Sequence, residues 1–214
     1  MDEQLRDACD RYVTELFAAE DEILSDLRAE IVEAGFPLIH IDAAEGRLLQ
    51  VLLGAIGAKK VIELGTLGGY SAIWMARALP SDGRLVTLEL EMERAELARR
   101  FIRRAGLEDR VEVRVGVALE LLEVLAGDGP YDAVFIDADK ENYPAYLDWC
   151  ASNVRSGGLV IGDNAFRSGA VLDDGTSDAG VRGIQEFNRR LASDPRFTSI
   201  VVPTRDGVAI ALMN

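Results

Sequence analysis

The sequence predicts an α/β protein with a doubly wound, mostly parallel seven-stranded sheet, an antiparallel C-terminal hairpin and an N-terminal helical extension. Three observations predict it. Five short apolar runs are each followed by a helix-period segment or a long loop, a pattern that requires right-handed crossovers and helical cover on both faces of a sheet. The last two apolar runs flank Asp206-Gly207, a hairpin turn signal. The first ~40 residues lie outside this alternation and read as helix.

The elements follow in order. Residues 3–33 carry Leu5, Tyr12, Leu16, Ile23, Leu27 and Ile31 at near-helical spacing with no Gly or Pro between them, so one long helix is expected, ended by Gly35 and Pro37. Residues 43–56 form a second amphipathic helix through Leu48, Leu49, Leu52, Leu53 and Ile56. Strands are expected at 60–64, 84–88, 111–115, 133–136 and 159–161, with helices at 70–79, 92–105, 118–125, 142–153 and 181–191. Strands 198–202 and 208–212 close the pattern. The loop 165–180, with Gly169, Gly175, Gly180 and several acids, is expected to move and to close over a substrate. No repeat, linker or low-complexity tract interrupts the chain, so residues 1–214 are expected to form one domain, with 1–40 as its helical extension.

Composition narrows the function. Of the 214 residues, 49% are apolar and 28% charged, which fits a globular chain. Apolar runs fall far short of the roughly 20 residues that span a bilayer. The acidic start, MDEQLRDACD, is neither a signal nor a transit peptide, and Cys9 and Cys150 form no metal or redox spacing, so a cytoplasmic protein with no membrane partner is expected. A net charge of −14 repels a phosphate backbone. The most basic stretch, Arg99, Arg100, Arg103 and Arg104 around Phe101 and Ile102, reads as the solvated face of an amphipathic helix rather than a nucleic-acid surface.

Ligands of such a sheet bind at the carboxyl ends of the strands. The first strand ends in VIELGTLGGYSA, where Gly65, Gly68 and Gly69 allow a tight turn and close approach to a ligand. The order is E-x-G-x-x-G-G, and Leu67 stands where the dinucleotide motif needs its middle glycine. That favours a nucleoside without a bridging diphosphate. Glu63 suits an ammonium or backbone-like donor, Ser71 can cap the helix or donate to a ligand, and Glu89 at the second strand tip suits two ribose hydroxyls. The fourth and fifth tips carry Asp137, Asp139 and Lys140, then Asp163 and Asn164. If these tips are neighbours, Asp137, Asp163 and Asn164 bring three hard oxygen donors to one point, suited to Mg²⁺, Mn²⁺ or Ca²⁺. The plain alternative for each acid is helix capping. His40, the only histidine, makes no zinc site alone.

Together the stretches FPLIHIDAAEG, VIELGTLGGYSA, VFIDADKENY and GDNAFRSGAV resemble the class I S-adenosylmethionine-dependent methyltransferases, and within them the cation-dependent O-methyltransferases of the catechol and caffeoyl-CoA type. The resemblance spans about residues 35–212 and implies a Rossmann-like methyltransferase fold. By motif, it implies that Glu63, Gly65, Thr66 and Ser71 hold the methionine and sugar of the donor, Glu89 the ribose and Ala118 the adenine. Ile41 would lie over the donor and Asp139, with Asp137, would line its site. Asp137, Asp163 and Asn164 match the metal ligands, and Lys140, acting beside Asp137, matches the general base. The implied acceptor is a catechol-like phenol, with bacterial members acting on small phenols the nearer match. Arg167-Ser168 stands where plant members often carry Trp-Asn. The resemblance also implies a homodimer. A metal-independent small-molecule methyltransferase and a non-catalytic S-adenosylmethionine-binding protein remain the alternatives.

Overall fold

The computed structural model describes residues 3–214. Its seven strands are β1 (Lys60–Leu64), β2 (Arg84–Glu89), β3 (Val111–Val115), β4 (Tyr131–Ile136), β5 (Val154–Gly162), β6 (Phe197–Val202) and β7 (Val208–Met213). The helices are α1 (Glu3–Phe17), α2 (Glu22–Glu33), α3 (Ala43–Ala55), α4 (Tyr70–Ala76), α5 (Met92–Arg104), α6 (Ala118–Leu125), α7 (Tyr143–Asn153) and α8 (Ala179–Ser193). The strand order is β3-β2-β1-β4-β5-β7-β6. The strands from β3 to β5 are parallel, and β7 pairs antiparallel with both β5 and β6. The predicted fold class is the one observed.

The two faces of the sheet follow from the two-residue period of its strands. Val61, Ala133, Phe135 and Ile161 face one core with Leu27 and Ile31 of α2, Leu49 of α3, Trp74 of α4 and Phe101 of α5. Ile62, Val134, Ile136 and Val160 face the other, with Leu122 of α6, Tyr146 of α7, and Ile184 and Phe187 of α8. Neighbouring residues of one strand are therefore buried on opposite sides, which is why these strands read as continuous apolar runs.

The structure divides the expected helix 3–33. Asp21 adopts an extended backbone and its carboxylate accepts from Leu24 N at 3.1 Å, so it caps α2 and ends the continuity with α1. Beside it Glu20 accepts from Tyr70 Oη at 2.6 Å, tying the break to α4. β5 starts five residues before its apolar core, at Val154, across a register shift opposite Tyr131 and Ala133. The basic face of α5, expected to be solvated, stays half exposed and pairs with acids of α2, Arg104 with Asp26 at 2.7 Å and Arg100 with Glu30.

Strand order reverses between β1 and β4. Connections leave these two strands toward opposite faces, and a crevice opens at their carboxyl ends.

Candidate active site

The crevice holds a cleft of about 800 Å³ bordered by residues from all five parallel strand tips. Backbone bonds align the tips. Gly65 N donates to Leu88 O at 3.0 Å, Asp137 N to Leu64 O at 2.8 Å, Asp163 N to Ile136 O at 3.0 Å and Gly116 N to Glu89 O at 2.9 Å. Gly65 has φ +96°, and a Cβ there would overlap the carbonyl of Asp137. Glycine is thus required where the first loop crosses the β4 tip.

Glu63 is fully buried and lies beneath the cleft. Its carboxylate accepts from Ser71 Oγ and, at 2.5 Å, from Thr87 Oγ1, which lies 2.5 Å from Thr66 Oγ1. Ser71 and Thr66 border the cleft above it. Burial pushes the Glu63 carboxyl up to about 8, against the two hydroxyl bonds that favour its charged form. Glu89 spans the first and second loops, accepting from Leu67 N at 2.7 Å and Glu91 N at 3.0 Å. Ile41 and Ala118 border the cleft, and the carbonyl of Ile41 accepts from His40 Nδ1 at 2.8 Å. His40 also stacks on Tyr70 with ring centroids 5.0 Å apart, which gives the only histidine a structural place.

The acidic end is built on the neighbouring strands β4 and β5. Asp137 and Asp163 leave consecutive tips, and Asn164 follows in a left-handed conformation at φ +56°. Lys140 Nζ lies 2.7 Å from Asp137 Oδ1 and 3.0 Å from Tyr143 Oη. The Tyr143 hydroxyl is in turn 2.8 Å from Ile136 O. Burial and mutual repulsion hold the Asp163 carboxyl above the usual carboxylate range. Burial raises Asp137 too, opposed by the charge of Lys140. Among the described residues no group of three His, Cys, Asp or Glu side chains that could hold a metal ion is present. The two buried carboxylates repel each other, a charge that a hard divalent cation would neutralise, while Lys140 already offsets part of it at Asp137. Asp139 does something different. Its carboxylate accepts from Tyr146 Oη at 2.5 Å and from Asn142 Nδ2, bracing the short 3-10 turn of Lys140–Asn142.

A sequence profile of the O-methyltransferase family matches residues 14–214. This chain belongs to that family. It is 40% identical over 220 residues to a catechol O-methyltransferase of Niastella koreensis, covering 100% of both chains. It is 42% identical to a catechol O-methyltransferase of Mycobacterium tuberculosis, over 95% of this chain and 94% of that one. The solved structure of the O-methyltransferase TomG from Streptomyces achromogenes, in complex with SAM, superposes with a TM-score of 0.94 at 40% identity over 100% of both chains. The protein is a class I S-adenosylmethionine-dependent O-methyltransferase.

Two residues of the O-methyltransferase cleft, Glu45 and Arg205, carry no signal of a site in the sequence, and a third, Arg167, is marked there only by standing where plant members often carry Trp. Glu45 in the first turn of α3 is 9% exposed, borders the cleft and has no hydrogen-bond partner at Oε1. Burial, then Asp163 and Asp137, raise its carboxyl. In sequence, Asp42 followed by Glu45 reads as a capping box, and only half of one forms: Glu45 N donates to Asp42 Oδ1 at 2.7 Å. Arg167 and Arg205 border the cleft, both with left-handed backbones. The loop 165–180 is tied down at several points. Arg167, Ser168 and Gly169 follow one another with positive φ, at +48°, +53° and +86°, and Gln185 Nε2 donates to Val171 O and Asp173 O at 3.0 Å.

Proposed function

We propose that this O-methyltransferase transfers a methyl group from S-adenosylmethionine to one hydroxyl of a catechol-like small phenol, assisted by a divalent cation. The observation that carries the reading is the meeting of Asp137, Asp163 and Lys140 at the foot of the cleft, with Lys140 Nζ 2.7 Å from Asp137.

In this reading Ser71, Thr66 and the Gly65 backbone hold the methionine end of the donor, with Glu63 fixing Ser71 from below. Glu89 takes the ribose hydroxyls, Ala118 meets the adenine, Ile41 covers the donor, and Asp139 and Asp137 border its site. Asp137, Asp163 and Asn164 would hold Mg²⁺, or Mn²⁺ or Ca²⁺ in its place. When bound, the cation supplies positive charge that acidifies a chelated phenol, whose ordinary pKa is ~10. Beside a bound cation the neutral amine of Lys140 would also be favoured, and its Nζ would then take the phenolic proton. The phenol oxygen forms a bond to the methyl carbon as the carbon–sulfur bond breaks, and S-adenosylhomocysteine leaves. Alignment of oxygen, carbon and sulfur is the remaining task, and the wall of Ile41, Tyr70 and Leu67 restricts the approach.

The vicinal diol is the chemical signature of this reading, since a lone hydroxyl chelates poorly. Mass-spectrometric product analysis with catechol and phenol, each with Mg²⁺, tests it. Methylation of catechol alone is expected, and equal methylation of phenol would refute chelation of the acceptor.

The reading also includes a single catalytic domain in the cytoplasm, acting as a homodimer. Tyr12, Leu16 and Phe17 of α1 are exposed apolar side chains that a second copy would cover. Light scattering checks this, and a monomer would remove the dimer.

A further inference from the structure

One cationic side chain of the cleft makes no ion pair with any described acid. Four Lys and Arg side chains border the cleft: Arg94, Lys140, Arg167 and Arg205. Lys140 is bonded to Asp137 at 2.7 Å, Arg205 is paired with Asp42 at 3.2 Å, and Arg94 faces Glu89 at 3.9 Å. Among the described residues, Arg167 alone of the four has no side-chain hydrogen bond or ion pair, and its Nε is shut away from water with no acceptor. A guanidinium does not shed its charge to escape such a position. A buried N–H donor left unmade costs the full loss of its hydration.

Its position is fixed. The segment that carries it is bonded to the β6–β7 turn, Ala165 N to Gly207 O at 2.9 Å and Phe166 N to Asp206 O at 2.8 Å. The Asp206 carboxylate, the acid best placed to answer Arg167 from that turn, instead accepts from Ser168 N. Over Gly180, a Cβ would lie 3.5 Å from Lys140 Cβ and 3.9 Å from Arg167 Nη2. An Asp178 carboxylate oxygen is the nearest atom to that same point at 3.3 Å, yet this carboxylate accepts from Val181 N at 2.8 Å as the cap of α8 and makes no ion pair with Arg167. Arg167 belongs to the same short stretch as Asp163 and Asn164. It lines the same cleft as Asp137, Lys140, Asp163 and Asn164, so an acceptor held by those residues shares its walls with the guanidinium.

We propose that Arg167 selects acceptors bearing a carboxylate, so that the substrate class is a dihydroxyaryl carboxylic acid rather than a neutral catechol. The inference rests on the catechol-type reading above. A carboxylate completes the guanidinium with charge-assisted, paired N–H donors. A neutral acceptor leaves it unanswered. The acidic surroundings sharpen the choice: Glu45, Asp137 and Asp163 disfavour an anion elsewhere in the cleft, so the carboxylate is directed to one end.

The test compares 3,4-dihydroxybenzoate, its methyl ester and catechol in a coupled S-adenosylhomocysteine assay, with the wild-type chain, Arg167→Gln and Arg167→Lys. For the wild type, kcat/KM for the acid is expected to exceed that for the ester by about tenfold to a hundredfold, mainly through KM. In Arg167→Gln this ratio falls toward one, and in Arg167→Lys it is intermediate. A merely structural arginine would lower both substrates together and leave the ratio where it was, which would overturn the proposal. A wild-type ratio near one overturns it as well, and needs no variant to fold. Failure of all three acceptors would instead refute the catechol reading and the inference with it.

Discussion

Lys140 and Asp137, three residues apart on the turn that leaves β4, meet at 2.7 Å with both side chains mostly shielded from water. One short stretch of chain therefore carries both the proposed base and a proposed cation ligand, and the same turn sets their separation. Tyr143 holds the far side of the ammonium at 3.0 Å, and the Tyr143 hydroxyl is anchored by the carbonyl of Ile136 at the strand end.

Removing the Lys140 side chain should cost chemistry and spare donor binding. Lys140→Ala is expected to lower kcat by about a hundredfold or more, the scale of general acid–base catalysis. Calorimetry with S-adenosylhomocysteine should find its affinity little changed. Near-normal turnover in this variant would take Lys140 out of the mechanism.

Asp163→Ala should remove cation binding. The Mn²⁺ electron paramagnetic resonance signal reports the free ion, and the variant is expected to weaken binding by tenfold or more and to abolish metal-dependent turnover. Unchanged Mn²⁺ affinity would place the cation elsewhere.

Fold and site were legible in the sequence to different depths. Strands buried on both faces leave unbroken apolar runs, so β1 to β4 stand out, and the acids and glycines that end them are fixed by strand geometry. The break at 18–21 was hidden because Asp21 caps by a side-chain bond while every neighbour favours helix. Strand β5 was read short because Arg155-Ser156-Gly157-Gly158 looks like a turn, and Gly157 does adopt φ +73°. The burial of Glu45 and of the Arg167 Nε is illegible for a common reason. Nothing local marks an acid in a first helical turn or an arginine in a loop as buried, since what buries them comes from distant parts of the chain.

The packing of α8 on the Lys140 turn gives a third expectation. A Cβ at Gly183 would overlap the carbonyl oxygen of Lys140 and stand 3.0 Å from Glu141 Cα. Gly183→Ala must therefore push the helix and the turn apart, at about 1–3 kcal/mol as for other overpacked sites. A lower melting temperature with a lowered kcat is expected. An unaltered kcat would show that the turn tolerates displacement.

Glu63 gives a pH dependence of stability with a definite sign. Its folded pKa is raised by burial to about 8 from 4.5, so the folded state holds the proton more tightly than the unfolded one. Stability from this group is full below the unfolded value and falls as pH rises toward about 8, at ~1.4 kcal/mol per unit at most. Glu63→Gln removes that titration. The melting temperature of the variant relative to wild type should therefore climb between pH 5 and 8 and level off above. A difference independent of pH would contradict a carboxyl held neutral beneath the donor site.

The most direct test of cation-assisted transfer to a catechol is the rate of S-adenosylhomocysteine release from a catechol acid after exhaustive chelation, then with Mg²⁺ restored. The account predicts turnover that disappears on chelation and returns with Mg²⁺. Full turnover in the chelated enzyme would contradict it and leave Asp137 and Asp163 as structural acids of a metal-free methyltransferase.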